Sequence, residues 1–425
     1  MNDGDRVSER ATQQMADGRS RAGPILGQAL RVLRAKRRNL LDGFVDIGDF
    51  KTRSAGTVDF RQVWARASGR LTPYCFDATK ERVVFVETRE PVDLTEDHPF
   101  FYEAQRRHAG MLYAVPYEEV VALAAEVQPA WRDTPIVFLH STGRCGSTLL
   151  CRLLGDAAAT VSVSEPDFYS QLVVLADGAD PAKARQLAAV TAACTRLLVA
   201  QLRETHPAAQ SVVLKLRGMA VFAADLMARD LPEARNLFLY RNAVDTVDSF
   251  FAMLLRVPIM RLARKVRLET LVLRLVALLN PMMRNPGALA PLYKDPHYRK
   301  QIPEDLAAFL TIAWMSKMHH ALALQRQPEV FFDAVLRYED LRAGGVSIMP
   351  GTLTALALPP ADELAQARMT RTLSRNAQEG SVLASTGGSS MNAAQQAMVQ
   401  RMLNLHPELH RIDFQLPGTM ALGGQ

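Results

Sequence analysis

From residue 134 onward, short apolar runs alternate with longer amphipathic ones. Residues 135–139 form an apolar run ending in small polar residues and two glycines, and Leu149, Leu150, Leu153 and Leu154 then recur at helical spacing. The pattern reads as strand, tight loop, helix. Residues 160–163 (T-V-S-V) predict a second strand ending at Ser164-Glu165-Pro166-Asp167, and helical segments follow to His206. Residues 211–216 and 236–240 supply a third and a fourth strand. Strands alternating with helices predict an α/β fold: a parallel sheet with right-handed crossovers, flanked by helices, whose ligands bind at the carboxyl ends of the strands.

The flanking pattern differs. Residues 1–22 are polar and predict a flexible segment, and residues 25–41 interleave Leu26, Leu30, Leu33 and Leu40 with five basic residues, which predicts an amphipathic helix. Residues 44–131 mix strand-like runs such as Val83 to Val86 with helical ones such as 117–127, and so predict an accessory layer. Phe100, Phe101 and Tyr102 either join its core or line an acceptor pocket. Residues 307–324 predict a buried apolar helix containing Trp314, and the chain after Pro350 is rich in Gln, Ser and Gly with one helix expected at 393–405. The expected organisation is a basic segment at 1–40, an accessory region at 41–130, an α/β core at 131–345 with a helical insert at 251–300, and an extension at 346–425.

The loop after the first core strand, G-R-C-G-S-T-L-L, carries the clearest chemistry. Gly143 and Gly146 allow a tight turn and close approach of a ligand to the backbone. The first N–H groups of the following helix and its dipole then face an anion. Arg144 adds a positive charge, and Ser147 and Thr148 add hydroxyl donors. A nucleoside-triphosphate loop of the Walker type needs four residues between its glycines and a lysine after the second. Here two residues separate the glycines, Ser147 follows Gly146, and no lysine lies in the loop.

A second constellation lies at the end of the fourth strand, where Arg241 is followed eight residues later by Ser249. The two groups can meet one phosphate if the chain between them makes a loop and turn. In order and spacing, Arg144, Cys145, Gly146, Ser147 and Thr148 together with Arg241 and Ser249 resemble the two donor-binding motifs of the sulfotransferases that use 3′-phosphoadenosine 5′-phosphosulfate. The segment Arg337-Tyr338-Glu339-Asp340-Leu341 is similar to one that closes the last core strand in that family, and residues 374–381 occupy the position of its late nucleotide-covering loop. Cys145 stands where Ser is commoner, and Asn242-Ala243 stands where Asp-Pro is usual.

The resemblance covers residues 135–345 and implies a P-loop NTPase-like sulfotransferase fold with transfer of a sulfuryl group to a hydroxyl or amine. It implies that Arg144, Cys145, Gly146, Ser147, Thr148 and Leu149 hold the 5′-phosphosulfate and that Arg241 and Ser249 hold the 3′-phosphate. It also implies no metal, with Arg144 and Lys215 as cations at the transferring group and Glu165 as the base. Like charge from the donor is expected to raise the carboxyl pKa of Glu165. His140 is the competing base, and its alternative task is to orient the loop. Two other functions compete, a P-loop kinase-like phosphotransferase and a catalytically silent nucleotide-binding protein.

Composition narrows the partners. The net charge of +6 is unevenly spread: nine basic against four acidic residues in 1–40 give +5, ten against two in 251–300 give +8, and the remainder sums to −7. Nucleic-acid binding is therefore not expected. The basic insert either attracts an anionic acceptor or membrane surface, or is a solvated helix with snorkelling arginines. Cys75, Cys145, Cys151 and Cys194 show no metal or disulfide spacing, and no stretch has the length and apolarity of a signal or spanning segment, which predicts a cytoplasmic protein. The acceptor, whether a small molecule, saccharide, lipid or peptide, and the oligomeric state leave no mark in the sequence.

Overall fold

The computed structural model describes residues 23–38, 43–67, 69–128, 131–157, 159–256, 261–262, 290–301, 305–374 and 390–421. Two five-stranded sheets organise it. β1 (Leu26–Ala35), β2 (Phe50–Asp59), β3 (Leu71–Asp77), β4 (Arg82–Thr88) and β5 (Ala109–Pro116) form an antiparallel sheet in the order β2-β1-β5-β4-β3. β6 (Ile136–Ser141), β7 (Thr160–Ser164), β8 (Ser211–Lys215), β9 (Ala234–Tyr240) and β10 (Ala334–Arg337) form a parallel sheet in the order β10-β9-β6-β8-β7. The protein thus has the α/β architecture expected, with the four anticipated core strands present.

Both faces of the parallel sheet are covered, as an all-parallel sheet requires. Alternate residues divide between the two faces. Val137, Leu139, Val213, Leu237 and Leu239 pack with Leu150, Leu153, Leu353 and Met369, which lie on the helices Ser147–Asp156, Met349–Ala355 and Glu363–Ser374. Ile136, Phe138, Val212, Leu214 and Phe238 face the other way, toward the helices Pro181–Thr205 and Leu306–Gln325. The apolar helix expected at 307–324 is the second of these, and Trp314, Met315 and Met318 are buried on it.

The helix expected over residues 25–41 is a strand instead. β1 pairs with β2 and β5 on its two sides, with Leu30 opposite Ser54 and Leu112. Leu26 and Leu33, two leucines of the expected helical stripe, are exposed at 56% and 50%, whereas Ala29 and Val32 are buried. A strand's burial follows its sheet neighbours rather than its most apolar residues, so the tertiary pairing overrode the local pattern.

The antiparallel sheet is fastened to the parallel one at β3. Gln171 closes that edge strand by accepting from Phe76 N (2.7 Å) and donating to Phe76 O (3.2 Å), and Gln201 Oε1 accepts from Leu71 N (3.2 Å). The rings of Phe76 and Phe168 meet edge to face at 6.0 Å. These contacts hold the connection between β4 and β5, which carries Phe100 and Tyr102, beside the ends of β7 and β8. Most of the 251–300 insert, including residues 263–289, and all but the first residue of the 374–381 segment lie outside the described residues.

Candidate functional site

The strand order places a switch point at β6: the chain runs from β6 to the edge strand β7, returns to β8, then crosses to β9 on the other side of β6. A crevice opens at the carboxyl ends of the strands at such a point. The loop after β6, Glu165 after β7, Lys215 at the end of β8 and Arg241 after β9 all lie at those ends, joined by Tyr338 after β10, whereas His140 lies within β6.

The loop has the backbone of an anion cradle. Gly143, Arg144 and Gly146 all have positive φ (77°, 54° and 82°). Gly146 is also the N-cap of the helix Ser147–Asp156, with no side chain capping it, so the first N–H groups of that helix are left for a ligand. A Cβ on Gly146 would lie 2.3 Å from Cε2 of Tyr338, so only glycine lets this ring lie over the loop. Gly218 also packs tightly on the loop: a Cβ there would sit 2.7 Å from Gly143 N. Ser147 and Thr148 are each 8% exposed. Cys145 and Leu149 turn their side chains into the core, the thiol toward Leu239 O at 3.3 Å, so toward the cradle they offer only backbone.

Arg144 and Ser249 meet: Arg144 Nε donates to Ser249 Oγ at 3.0 Å although 105 residues separate them. Burial pushes the pKa of Arg144 down, and the guanidinium groups of Arg256 and Arg241 push it further in the same direction. Arg241 and Arg256 thus lie in electrostatic reach of Arg144, an arrangement that could hold an anion with more than one charge. Arg241 is held from three sides. Its guanidinium lies 5.0 Å over the Tyr338 ring, Asp245 Oδ2 accepts from it at 2.8 Å, and Trp314 Nε1 donates to its carbonyl at 3.0 Å. Among the described residues its Nε is buried without a hydrogen-bond partner, an orphaned donor that a phosphate oxygen would satisfy.

Asn242, where the motif usually has Asp, keeps the capping role: its side chain accepts from Asp245 N at 2.9 Å and starts the helix Ala243–Leu254 that carries Ser249. Glu339 accepts from both Asn242 N (3.0 Å) and Asn242 Nδ2 (2.6 Å). The Arg337 to Leu341 segment therefore braces the arginine pocket through Tyr338 and Glu339.

On the other side of β6, Lys215 Nζ and Glu165 Oε1 pair at 2.5 Å, and Glu165 N donates to Lys215 O at 2.7 Å. Arg217 Nε reaches both Glu165 Oε2 (3.3 Å) and Asp167 Oδ1 (2.9 Å). Burial pushes the Glu165 carboxyl up, but Lys215 and Arg217 outweigh it and hold the carboxyl below its usual value. The expected upward shift is not present in the protein alone, because two cations face a carboxylate that was read from the sequence with one anionic neighbour. Burial pushes Asp167 up, and there it prevails. Glu165 also has φ of +59°, a strained conformation for a residue with a side chain, as is common where a site constrains the backbone.

The aromatic triplet divides its tasks. Phe101 is in the core, whereas Phe100 and Tyr102 are only partly buried, stack on each other at 5.9 Å, and cover the charges: Lys215 Nζ lies 5.6 Å from the Phe100 ring and Arg217 lies 4.7 Å from that of Tyr102. His140 is fully buried in β6, its Nε2 is 3.2 Å from Asn236 Oδ1, and burial pushes its pKa down to about 4. It is neutral and out of reach of a ligand at the strand ends.

Sequence reasoning missed Arg217, Asp167, Arg256 and Tyr338 as site residues. A signal existed for the first: Lys215 and Arg217 are two apart at a strand end, which puts both side chains on one face. Among the described residues no cluster of His, Cys, Asp and Glu could hold a metal ion, no helix is long and apolar enough to cross a membrane, and all four cysteines are free and buried.

No protein-family model matches the sequence, and no curated protein matches it. Solved structures do. The chain is similar to a sulfotransferase, STF9, from Mycobacterium avium at 14% identity, covering 72% of this chain and 83% of that one with a TM-score of 0.38. It is similar to the sulfotransferase domain from the curacin biosynthetic pathway at 15% identity, covering 67% and 99% with a TM-score of 0.35. A third, the sulfotransferase domain from the Synechococcus PCC 7002 olefin synthase, shares 14% identity over 68% and 90% with a TM-score of 0.29.

Proposed function

We propose that the protein is a sulfotransferase that binds 3′-phosphoadenosine 5′-phosphosulfate and moves its sulfuryl group to a hydroxyl or amine acceptor. The observation that carries this reading is the meeting of Arg144 with Ser249, with Arg241 in electrostatic reach, which makes one polyanion pocket from two motifs on different strands. The loop N–H groups, Arg144, Ser147 and Thr148 would hold the 5′ end. Arg241 and Ser249 would hold the 3′-phosphate, which separates this donor from ATP. The donor supplies an activated sulfur: a bond from acceptor oxygen or nitrogen to sulfur forms while the bridging bond to the phosphate oxygen breaks.

Glu165, ionised at neutral pH, would take the acceptor's proton. Lys215 would offset charge on the leaving phosphate, and leaving its 2.5 Å pair with Glu165 would release the carboxylate as a base. Phe100 and Tyr102 would form the wall that the acceptor meets before it reaches Glu165. Free cysteines fit a cytoplasmic setting.

A thermal-shift panel tests the donor. Adenosine 3′,5′-bisphosphate without Mg²⁺ should stabilise the protein, by about 2.7 kcal/mol at a hundred times its Kd. ATP with Mg²⁺ should not, and Arg241→Ala should abolish the shift. A stabilisation by ATP with Mg²⁺ equal to that by the bisphosphate, or an intact shift in Arg241→Ala, refutes the assignment.

A further inference from the structure

We infer that Lys317, on the helix Leu306–Gln325, is an anion-binding residue of the phosphate loop, supplying from a neighbouring helix the lysine charge that the loop itself lacks. The inference rests on the donor reading above and deepens it.

Lys317 is the sole Lys, Arg, Asp or Glu in its helix. It is 7% exposed and has no carboxylate or hydrogen-bond partner among the described residues. A cation held out of water without a counter-charge is destabilising, and a methionine like its neighbours Met315 and Met318 would avoid that cost. Such a charge is explained by a ligand.

Its surroundings identify the ligand's place. Lys317 Nζ lies 6.0 Å from the centre of the Phe250 ring, and the Cζ atom of that ring is 3.4 Å from where a Cβ of Gly143 would be. Phe250 directly follows Ser249, the partner of Arg144. The Cys145 thiol of the loop is also within electrostatic reach of Lys317. One turn earlier on the same helix, Trp314 donates to the carbonyl of Arg241. Positions 314 and 317 share a helix face, so this face runs from the 3′-phosphate arginine to the phosphate loop. Burial pushes the lysine down to about 8, so its charge is lightly held until an anion arrives.

Isothermal titration of the full chain with adenosine 3′,5′-bisphosphate at pH 7, without Mg²⁺, tests the inference. Lys317→Met and Lys317→Gln should bind at least tenfold more weakly than the wild type. The ligand-free melting temperature of Lys317→Met should rise, because an unpaired buried charge has gone. Wild-type affinity in both variants overturns the inference and leaves the donor reading standing. A lower ligand-free melting temperature with unchanged affinity also overturns it, since Lys317 would then be a packing residue. Absence of binding by the folded wild type overturns both.

Discussion

Replacing Gly146 by alanine adds a single carbon where the structure has no room for it. Two costs can be separated. The backbone at this position has φ of 82°, and a residue with a Cβ pays about 1–2 kcal/mol for the left-handed region. The new Cβ would also lie 2.3 and 2.4 Å from two ring carbons of Tyr338, whereas carbon atoms at rest stand about 3.5–4.0 Å apart. The ring must therefore move by more than about 1 Å, and overpacking of this kind costs about 1–3 kcal/mol. Together the loss of stability should be about 2–5 kcal/mol, read from denaturant midpoints at unchanged slope.

The consequence for binding follows from what else that ring touches. Arg241 sits 5.0 Å over Tyr338, so a displaced ring takes with it the arginine proposed to hold the 3′-phosphate, and affinity for adenosine 3′,5′-bisphosphate should fall tenfold or more. A double-mutant cycle isolates the clash. Adding Tyr338→Ala removes the collision but not the backbone strain, so the pair should couple by about 1–3 kcal/mol. If Gly146→Ala unfolds at the wild-type midpoint, or the cycle shows no coupling, the account of this loop as a glycine-dependent cradle roofed by Tyr338 is wrong.

Glu165→Gln should lower turnover by about 10²–10⁴-fold while the bisphosphate-induced thermal shift persists; full turnover would remove Glu165 as the base. The same variant should lose about 3 kcal/mol or more of stability, because Lys215, 4% exposed, is left without its carboxylate. His140 should make the protein less stable as acid is added. The unfolded chain takes up a proton as pH falls through about 6.5, and the folded one resists until about 4. Between pH 6.5 and 5 the loss from this residue should approach about 2 kcal/mol, with His406 acting in the same direction. Denaturant titrations across that range check it, and a wild-type slope retained by His140→Phe would refute the attribution.

Periodicity and punctuation along the chain determined the parallel sheet, because a strand buried on both faces must be a short apolar run and a crossover helix must follow it. They determined the loop after β6 as well, since two glycines and an arginine between a strand and a helix leave little but an anion to bind. Local pattern failed at β1: its exposed leucines looked like a helical stripe, and only pairing with β2 and β5 made it a strand. It failed again at the electrostatics of the site. The pKa of Glu165 depends on Lys215 and Arg217, which the folding of β7 against β8 brings to it, and the sequence places those residues fifty or more positions away. The meeting of Arg144 with Ser249, the roof of Phe100 and Tyr102, and the isolation of Lys317 likewise exist only once distant segments are packed. Chain order carries short-range periodicity, whereas charge, burial and contact depend on distances in space, and the tertiary structure alone sets those.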